Sequence, residues 1–371
     1  MLDSARDSGL SRNGNFLVFK HPLDDPGNLD KIGNHRVLVA NKPNEIASKI
    51  TSETKTIMIA GISHFTKDSG IAELIDAIIR SNRQIIATGL NLASDGKPYG
   101  SMPEIMALAD EIIVAKALCN QANCDSEANR SLKIKNKFEP RCAYHHKYTD
   151  GRPISIDRNG SLEIFAGPMF SSKSTSLEKA IKRYEIKQSP YIIFKWNKDK
   201  RYRGEINTIT LHSGQRIQAY PINSYSEITD ILSNKKNTQV VMIDEAQFID
   251  GLYSLIYDLI PQGYKIICTG LPRGFNRKPF ADFPKLMCLA DDIKYKNGIC
   301  VECHDPATEN QRMKKINGSV ISAHYSDPLI AVGGSDTNNV EYFYEARCLD
   351  HWKLDGEPKL RFELPSINNK H

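Results

Sequence analysis

Residues 162–175 read LEIFAGPMFSSKST, and this stretch decides the fold. The apolar run Leu162–Ala166 is a strand, and Ser174 to Tyr184 has the pattern of a helix. Between them Gly167-Pro168-Met169-Phe170-Ser171-Ser172-Lys173-Ser174-Thr175 follows G-x-x-x-x-G-K-[ST], with Ser172 at the second glycine. A strand before and a helix after is the setting a phosphate-binding loop requires. Backbone N–H groups would wrap phosphates at the helix N-terminus, Lys173 would reach the β/γ phosphates and Ser174 would ligate Mg²⁺. The missing glycine matters where the backbone needs φ > 0 or a close approach to phosphate.

Working outward, Tyr191–Phe194, Val240–Ile243 and Lys265–Thr269 are short β-rich runs separated by helical stretches. That alternation indicates an α/β fold, a parallel sheet with helices packed on it. The run Val240–Ile243 ends in Asp244-Glu245. Carboxylates at the C-terminal end of a parallel strand sit in the ligand crevice. One can hold Mg²⁺, and its neighbour can accept a proton from an attacking hydroxyl.

The chain also repeats itself. Residues 85–119 align with 266–300 at a constant offset of 181 residues, with 14 of 35 positions identical. Looser matches pair Phe19-Lys20 with Phe194-Lys195, Phe65 with Phe248, and Cys142–His145 with Cys348–His351. A tandem duplication is expected, with a degenerate domain over 1–150, an active domain over 155–354 and a flexible tail over 355–371. In the first copy the counterpart of Asp244-Glu245 reads Gly61-Ile62, and no glycine-rich loop precedes Phe19. That copy is expected to be inactive, because phosphoryl transfer depends on positioned charge.

The 371 residues include eight cysteines. Cys300, Cys303, Cys348 and His351 form C-x2-C … C-x2-H, the donor set of a closed tetrahedral zinc site. Cys119, Cys124, Cys142 and His145 offer a second, wider-spaced set. Cys268 and Cys288 lie in apolar runs and read as core thiols. A disulfide framework does not suit a chain this long whose N-terminus has no apolar signal region. The longest apolar stretches are strand-sized, such as Thr56 to Ile62, so no membrane helix is expected. A net charge of +5 is mild for this length and gives no case for nucleic acid.

G-P-M-F-S-S-K-S-T, V-V-M-I-D-E-A-Q-F, G-L-P-R-G-F-N-R-K-P-F, C-V-E-C and Y-E-A-R-C-L-D-H, in this order, resemble the zinc-containing thymidine kinase family of the cellular and poxviral type. The resemblance covers residues 161–352 and, more weakly, about 15–146. It implies two P-loop-type (RecA-like) parallel-sheet domains, each with a small zinc-binding lasso subdomain. It also implies ATP- and Mg²⁺-dependent phosphorylation of thymidine, and of deoxyuridine, at the 5′-hydroxyl in nucleotide salvage, with structural Zn²⁺. Glu245 would be the catalytic base, Asp244 would hold hydrated Mg²⁺, and Arg201 would lie near the phosphates. Met169, Phe248, Leu271, Phe275, Phe280, Asn310, Val332 and Tyr344 match positions around the nucleoside. Asn310 stands where the family commonly has threonine, and Pro272 replaces the usual acidic residue. Two alternatives stay open: a deoxynucleoside kinase of shifted specificity, and a zinc-bearing pseudokinase or nucleotide-binding regulator. The chain is read as cytoplasmic, with the first copy serving the second as an internal pseudo-subunit and further dimerisation left open.

Overall fold

The computed structural model describes residues 15–24, 31–32, 35–135, 137–148, 160–198, 207–210, 214, 216–235, 237–330, 336–337 and 340–367. It is a mixed α/β protein with parallel sheets. Among the described residues no helix is long and apolar enough to cross a membrane. Described residues within Met1–Ala93, Lys97–Leu108 and Pro358–His371 form one compact unit, and those within Ser94–Gly96 and Ala109–Glu357 form the other.

The first unit has strands β1 (Asn15–Lys20), β2 (Lys31–Ile32), β3 (His35–Val39), β4 (Thr54–Ala60) and β5 (Gln84–Thr88) in the order β2-β3-β1-β4-β5. All pairs are parallel except β2 with β3. Helix α1 (Ile71–Arg80) buries Ile71, Leu74, Ile75 and Ile78, a helical i, i+3, i+4, i+7 stripe. A short helix α2 (Met102–Leu108) ends the unit's main run. Of the stretch expected to be a flexible tail, the described residues 358–367 belong to this unit. Phe362 is buried, and the Pro365 carbonyl accepts a hydrogen bond from Arg83 Nη2 at 2.6 Å. Burying one phenylalanine is worth about 1.5–3 kcal/mol, enough to oppose fraying of a few residues.

The second unit carries a six-stranded, all-parallel sheet. Its strands are β6 (Ser161–Ala166), β7 (Tyr191–Trp196), β8 (Tyr220–Ile222), β9 (Val240–Asp244), β10 (Lys265–Gly270) and β11 (Asp292–Tyr295), in the order β8-β7-β9-β10-β6-β11. Buried on both faces, the inner strands β7, β9 and β10 read as near-continuous apolar runs, whereas the edge strand β11 alternates. Helix α3 (Lys173–Ile186) turns Leu177, Ala180 and Ile181 onto Phe165, Ile193, Met242 and Ile267 of the sheet. Helices α4 (Tyr225–Ser233), α5 (Leu252–Leu259) and α6 (Phe283–Leu289) complete the packing. Beyond the sheet, β12 (Glu309–Ile316), β13 (Ser319–Ser322), β14 (Asp336–Thr337) and β15 (Val340–Arg347) make an antiparallel sheet in the order β13-β12-β15-β14.

The order β3-β1-β4-β5 of the first unit matches β8-β7-β9-β10 of the second. Among the described residues the first unit has no strand corresponding to β6 or β11. The segment from Ala109, which carries the first Cys/His set, belongs to the second unit. Asn129 Nδ2 donates to Asp291 Oδ1 at 3.0 Å, while Asp291 Oδ2 accepts from the Leu162 N–H at 2.8 Å. Lys147 Nζ pairs with Asp258 on α5 at 2.5 Å, and Tyr253 of the same helix donates to the Gly96 carbonyl at 2.7 Å. The compact units divide near Leu108, whereas the two expected copies meet at 150–155.

Candidate functional site

The loop after β6 turns on Gly167 at φ +151°. A Cβ there would lie 2.1 Å from the Lys296 carbonyl, so only glycine fits. Ser171 Oγ donates to the Pro168 carbonyl at 2.7 Å, and Lys173 Nζ donates to the same oxygen at 2.5 Å. The buried lysine is thus held inside the loop. Phe170 (φ 60°) and Ser172 (φ 61°, ψ 27°) are left-handed. The glycine missing from the consensus is therefore a position that needs φ > 0, and serine adopts that conformation at a cost of about 1–2 kcal/mol. Helix α3 starts at Lys173, so the loop leads directly into the first turn of a helix. This is an arrangement suited to an anion.

Asp244 ends β9, two strands from β6 in the sheet, with β10 between them. The pairing of Ile243 with Cys268 brings Asp244 beside Thr269. Thr269 Oγ1 lies 2.5 Å from Asp244 Oδ1 and accepts from the Glu245 N–H at 3.3 Å. Glu245 sits in a left-handed turn (φ 54°, ψ 45°). Its Oε2 accepts from Gln247 Nε2 at 2.6 Å, and Gln247 Oε1 accepts from the Leu271 N–H at 3.2 Å. Loop and carboxylates lie at the same C-terminal edge of the parallel sheet, where α/β proteins place their ligands.

Beside them stands an aromatic cluster. Trp196 stacks on Phe248, with ring centroids 4.2 Å apart and planes 17° apart. Phe280 meets Phe248 edge-on at 5.3 Å and 85°. Phe275 carries the Arg312 guanidinium 3.4 Å above its ring, and Leu271 is buried on the same loop. Trp196 is absent from the residues the sequence singled out; its signal was its place at the C-terminal end of β7, directly after Phe194-Lys195. Asn310 has both ends of its amide engaged: Oδ1 accepts from the Met169 N–H at 2.7 Å, and Nδ2 donates to the Arg273 carbonyl at 2.9 Å. Tyr344 on β15 pairs with Arg312 on β12. Arg201 and Val332 lie outside the described residues.

A buried charge cluster roots β12. Glu309 is buried between two buried arginines, Arg273 at 2.8 Å and Arg277. Burial works to raise the Glu309 carboxyl, but the two guanidinium charges outweigh it and hold the group below the usual carboxylate range. Arg273 and Arg277 lie in the G-L-P-R-G-F-N-R motif, and only the fold reveals their shared partner.

Both Cys/His sets assemble. In each, one ligand atom from every residue lies within 4.8 Å of the others. Cys348 Sγ and Cys300 Sγ lie 3.1 and 3.7 Å from His351 Nδ1, and Cys303 Sγ is 3.7 Å from Cys348 Sγ. Cys142 Sγ and Cys119 Sγ lie 3.3 and 3.6 Å from His145 Nδ1. A tetrahedron with Zn–S bonds of about 2.3 Å has edges of roughly 3.8 Å, so both clusters fit zinc. Burial would raise the Cys300 thiol, but backbone hydrogen bonds from Cys348, Cys303 and Glu302 prevail and lower it to about 6. Such bonds stabilise a metal-bound thiolate. Cys268 and Cys288 are buried core thiols, and burial pushes the Cys268 thiol up.

The first unit has a counterpart of this crevice with different chemistry. Ala60 pairs with Thr88, the residue aligned with Thr269. Ala60-Gly61, rather than Gly61-Ile62, therefore stands where Asp244-Glu245 stands. Gly61 keeps the left-handed turn at φ 68°, and both carboxylates are absent. His21 stacks on His64 at 5.4 Å, and Tyr99 meets His64 edge-on at 5.5 Å and 83°. The Trp196–Phe248–Phe280 arrangement is thus repeated in imidazole and phenol.

A family profile described as thymidine kinase matches residues 10–147 and 160–352. The chain belongs to the thymidine kinase family. The two matched segments take in both parallel sheets and both Cys/His clusters. A thymidine kinase family member is expected to phosphorylate a nucleoside.

Proposed function

We propose that this chain transfers the γ-phosphoryl group of ATP to the 5′-hydroxyl of thymidine, and of deoxyuridine, giving the 5′-monophosphate and ADP. We read the second unit as the P-loop (RecA-like) domain that carries the chemistry. One observation supports this above others: the Gly167–Thr175 loop and the Asp244-Glu245 turn share the C-terminal edge of one parallel sheet, with only β10 between their strands.

In this reading the loop N–H groups and Lys173 bind the β- and γ-phosphates. Ser174 and Asp244 would hold Mg²⁺, directly or through its water, and the ion supplies charge neutralisation at the phosphates. Glu245 accepts the proton of the 5′-hydroxyl, whose oxygen forms the new P–O bond as the bond to the β-phosphate oxygen breaks and ADP leaves. Gln247 orients Glu245 through its 2.6 Å hydrogen bond. Phe248, Phe280, Trp196 and Leu271 offer a planar apolar box for a methylated pyrimidine. Met169, Phe275, Asn310, Val332 and Tyr344 would complete the nucleoside surround, and Arg201 would lie near the phosphates. The two Cys/His clusters would hold structural Zn²⁺.

The chain is further read as a tandem duplication, with a degenerate domain over 1–150 and an active one over 155–354. The matching order of four strands in the two units supports this. The first copy would act as an internal pseudo-subunit of the second.

The decisive assay is ATP-dependent phosphorylation of thymidine, deoxyuridine and deoxycytidine by the full chain, with Glu245→Gln as control. Product from thymidine that Glu245→Gln reduces by orders of magnitude is expected. No product from any nucleoside would end the kinase reading, and undiminished turnover in Glu245→Gln would remove the base assignment.

A further inference from the structure

We infer that Thr269 is a positioning residue that sets the carboxylate turn for the metal–nucleotide complex; this rests on the kinase reading above. Thr269 is fully buried near the end of β10. Its hydroxyl meets two groups, Asp244 Oδ1 at 2.5 Å and the Glu245 N–H at 3.3 Å. A hydroxyl has one proton, and the Glu245 N–H is itself a donor, so the proton is committed to Asp244. One side of the Asp244 carboxylate is thereby fixed, which orients its other oxygen. The same hydroxyl anchors the Glu245 peptide in a left-handed turn that a non-glycine residue adopts only under constraint. A single side chain thus holds both the residue proposed for Mg²⁺ and the residue proposed as base.

The first unit separates this role from packing. Thr88 occupies the aligned position and pairs with Ala60, where there is no carboxylate to orient. A threonine therefore suits the strand at this point on β-propensity alone, and the hydroxyl contacts are what is particular to Thr269.

The test uses the full, zinc-loaded chain with Thr269→Val, which keeps the shape and removes the hydroxyl, Thr269→Ser, which restores it, and Thr88→Val as control. Mn²⁺ binding in the presence of ADP is followed by electron paramagnetic resonance, alongside steady-state kinetics and thermal unfolding. Thr269→Val should weaken Mn²⁺ binding and lower kcat by about tenfold each, the size expected for losing a hydrogen bond to a charged group. KM for thymidine should stay within about twofold, on the same reasoning that the base box is untouched. Thr269→Ser should recover most of both losses, and Thr88→Val should resemble the parent. Unchanged Mn²⁺ affinity and kcat in Thr269→Val would overturn the inference. So would a Thr269→Ser protein as impaired as the valine variant with KM rising in step, because that is a packing effect. If the parent turns over no nucleoside, the kinase reading fails on that arm alone, while the Mn²⁺ titration still decides the role of Thr269. A parent that holds no Mn²⁺ with ADP overturns both.

Discussion

The side-chain oxygen of Asn310 accepts the backbone N–H of Met169 at 2.7 Å, so the first residues of β12 and the loop after β6 share a hydrogen bond. The other end of the same amide holds the Arg273 carbonyl. Asn310→Ala would leave both backbone groups without these partners, at a cost of about 1–3 kcal/mol. We expect a lower urea midpoint and higher KM values for nucleoside and nucleotide together. An Asn310→Ala protein as stable as the parent would mean that neither bond matters.

Ser172 holds a left-handed conformation that glycine adopts freely. Ser172→Gly should therefore stabilise the folded chain by up to about 1 kcal/mol, the left-handed penalty being partly offset by glycine's greater freedom when unfolded. Turnover should be equal or higher, since the loop backbone is unchanged. A severe loss of activity at retained stability would show that the Ser172 hydroxyl itself contacts the phosphates.

Glu309 joins Arg273 and Arg277 in a buried charge cluster. Its carboxyl is held below the unfolded value of about 4.3. The linked stability is thus present above that pH and is lost as pH falls through the lower folded value. Glu309→Gln removes this acid dependence and takes the buried counter-charge from two buried cations, leaving Arg273 with the more exposed Asp110 at 3.5 Å, at a cost of roughly 3–5 kcal/mol. Unfolding midpoints measured between about pH 3 and 7 should show the parent converging on the variant only at the acid end. Parallel curves across that range would place the stabilisation elsewhere.

The cluster of Cys119, Cys124, Cys142 and His145 belongs to the same compact unit as the proposed catalytic residues. Cys142→Ser should lower the zinc content by one equivalent. It should also reduce Tm by roughly 5 °C or more, the shift that about 2 kcal/mol produces in a unit of this size. Metal analysis with calorimetry checks both. Full zinc content in the variant would contradict the assignment of this cysteine.

Much of the second unit was legible in sequence because its signals are local. A strand, a glycine-bearing loop and a helix in succession located Gly167–Thr175, and an apolar run ending in two acids located Asp244-Glu245. The cysteine pairs announced both clusters by spacing. What escaped was set by long-range pairing. Thr269 reads as one more β-former until sheet register puts it beside Asp244. Arg273 and Arg277 lie 36 and 32 residues before Glu309, and all three look like surface charges until they share one buried contact. The one-residue shift from Gly61-Ile62 to Ala60-Gly61 has the same origin, because the aligned phenylalanines Phe65 and Phe248 do not occupy equivalent turns. The segment after Ala109 reads as the end of the first copy, yet its partners Asp291 and Asp258 cannot be guessed from adjacency.

The chain has only two tryptophans, and both lie in the second unit. Trp196 is stacked in the aromatic cluster, while the indole N–H of Trp352 donates to the Phe275 carbonyl at 3.0 Å, one residue past His351. Indole emission is therefore a label-free readout confined to this half of the molecule. On the proposed reading, one fluorophore adjoins the nucleoside box and the other adjoins a Cys/His cluster suited to zinc. Ligand entry and metal release would then give separable optical signals, with a Trp196→Phe or Trp352→Phe variant isolating each.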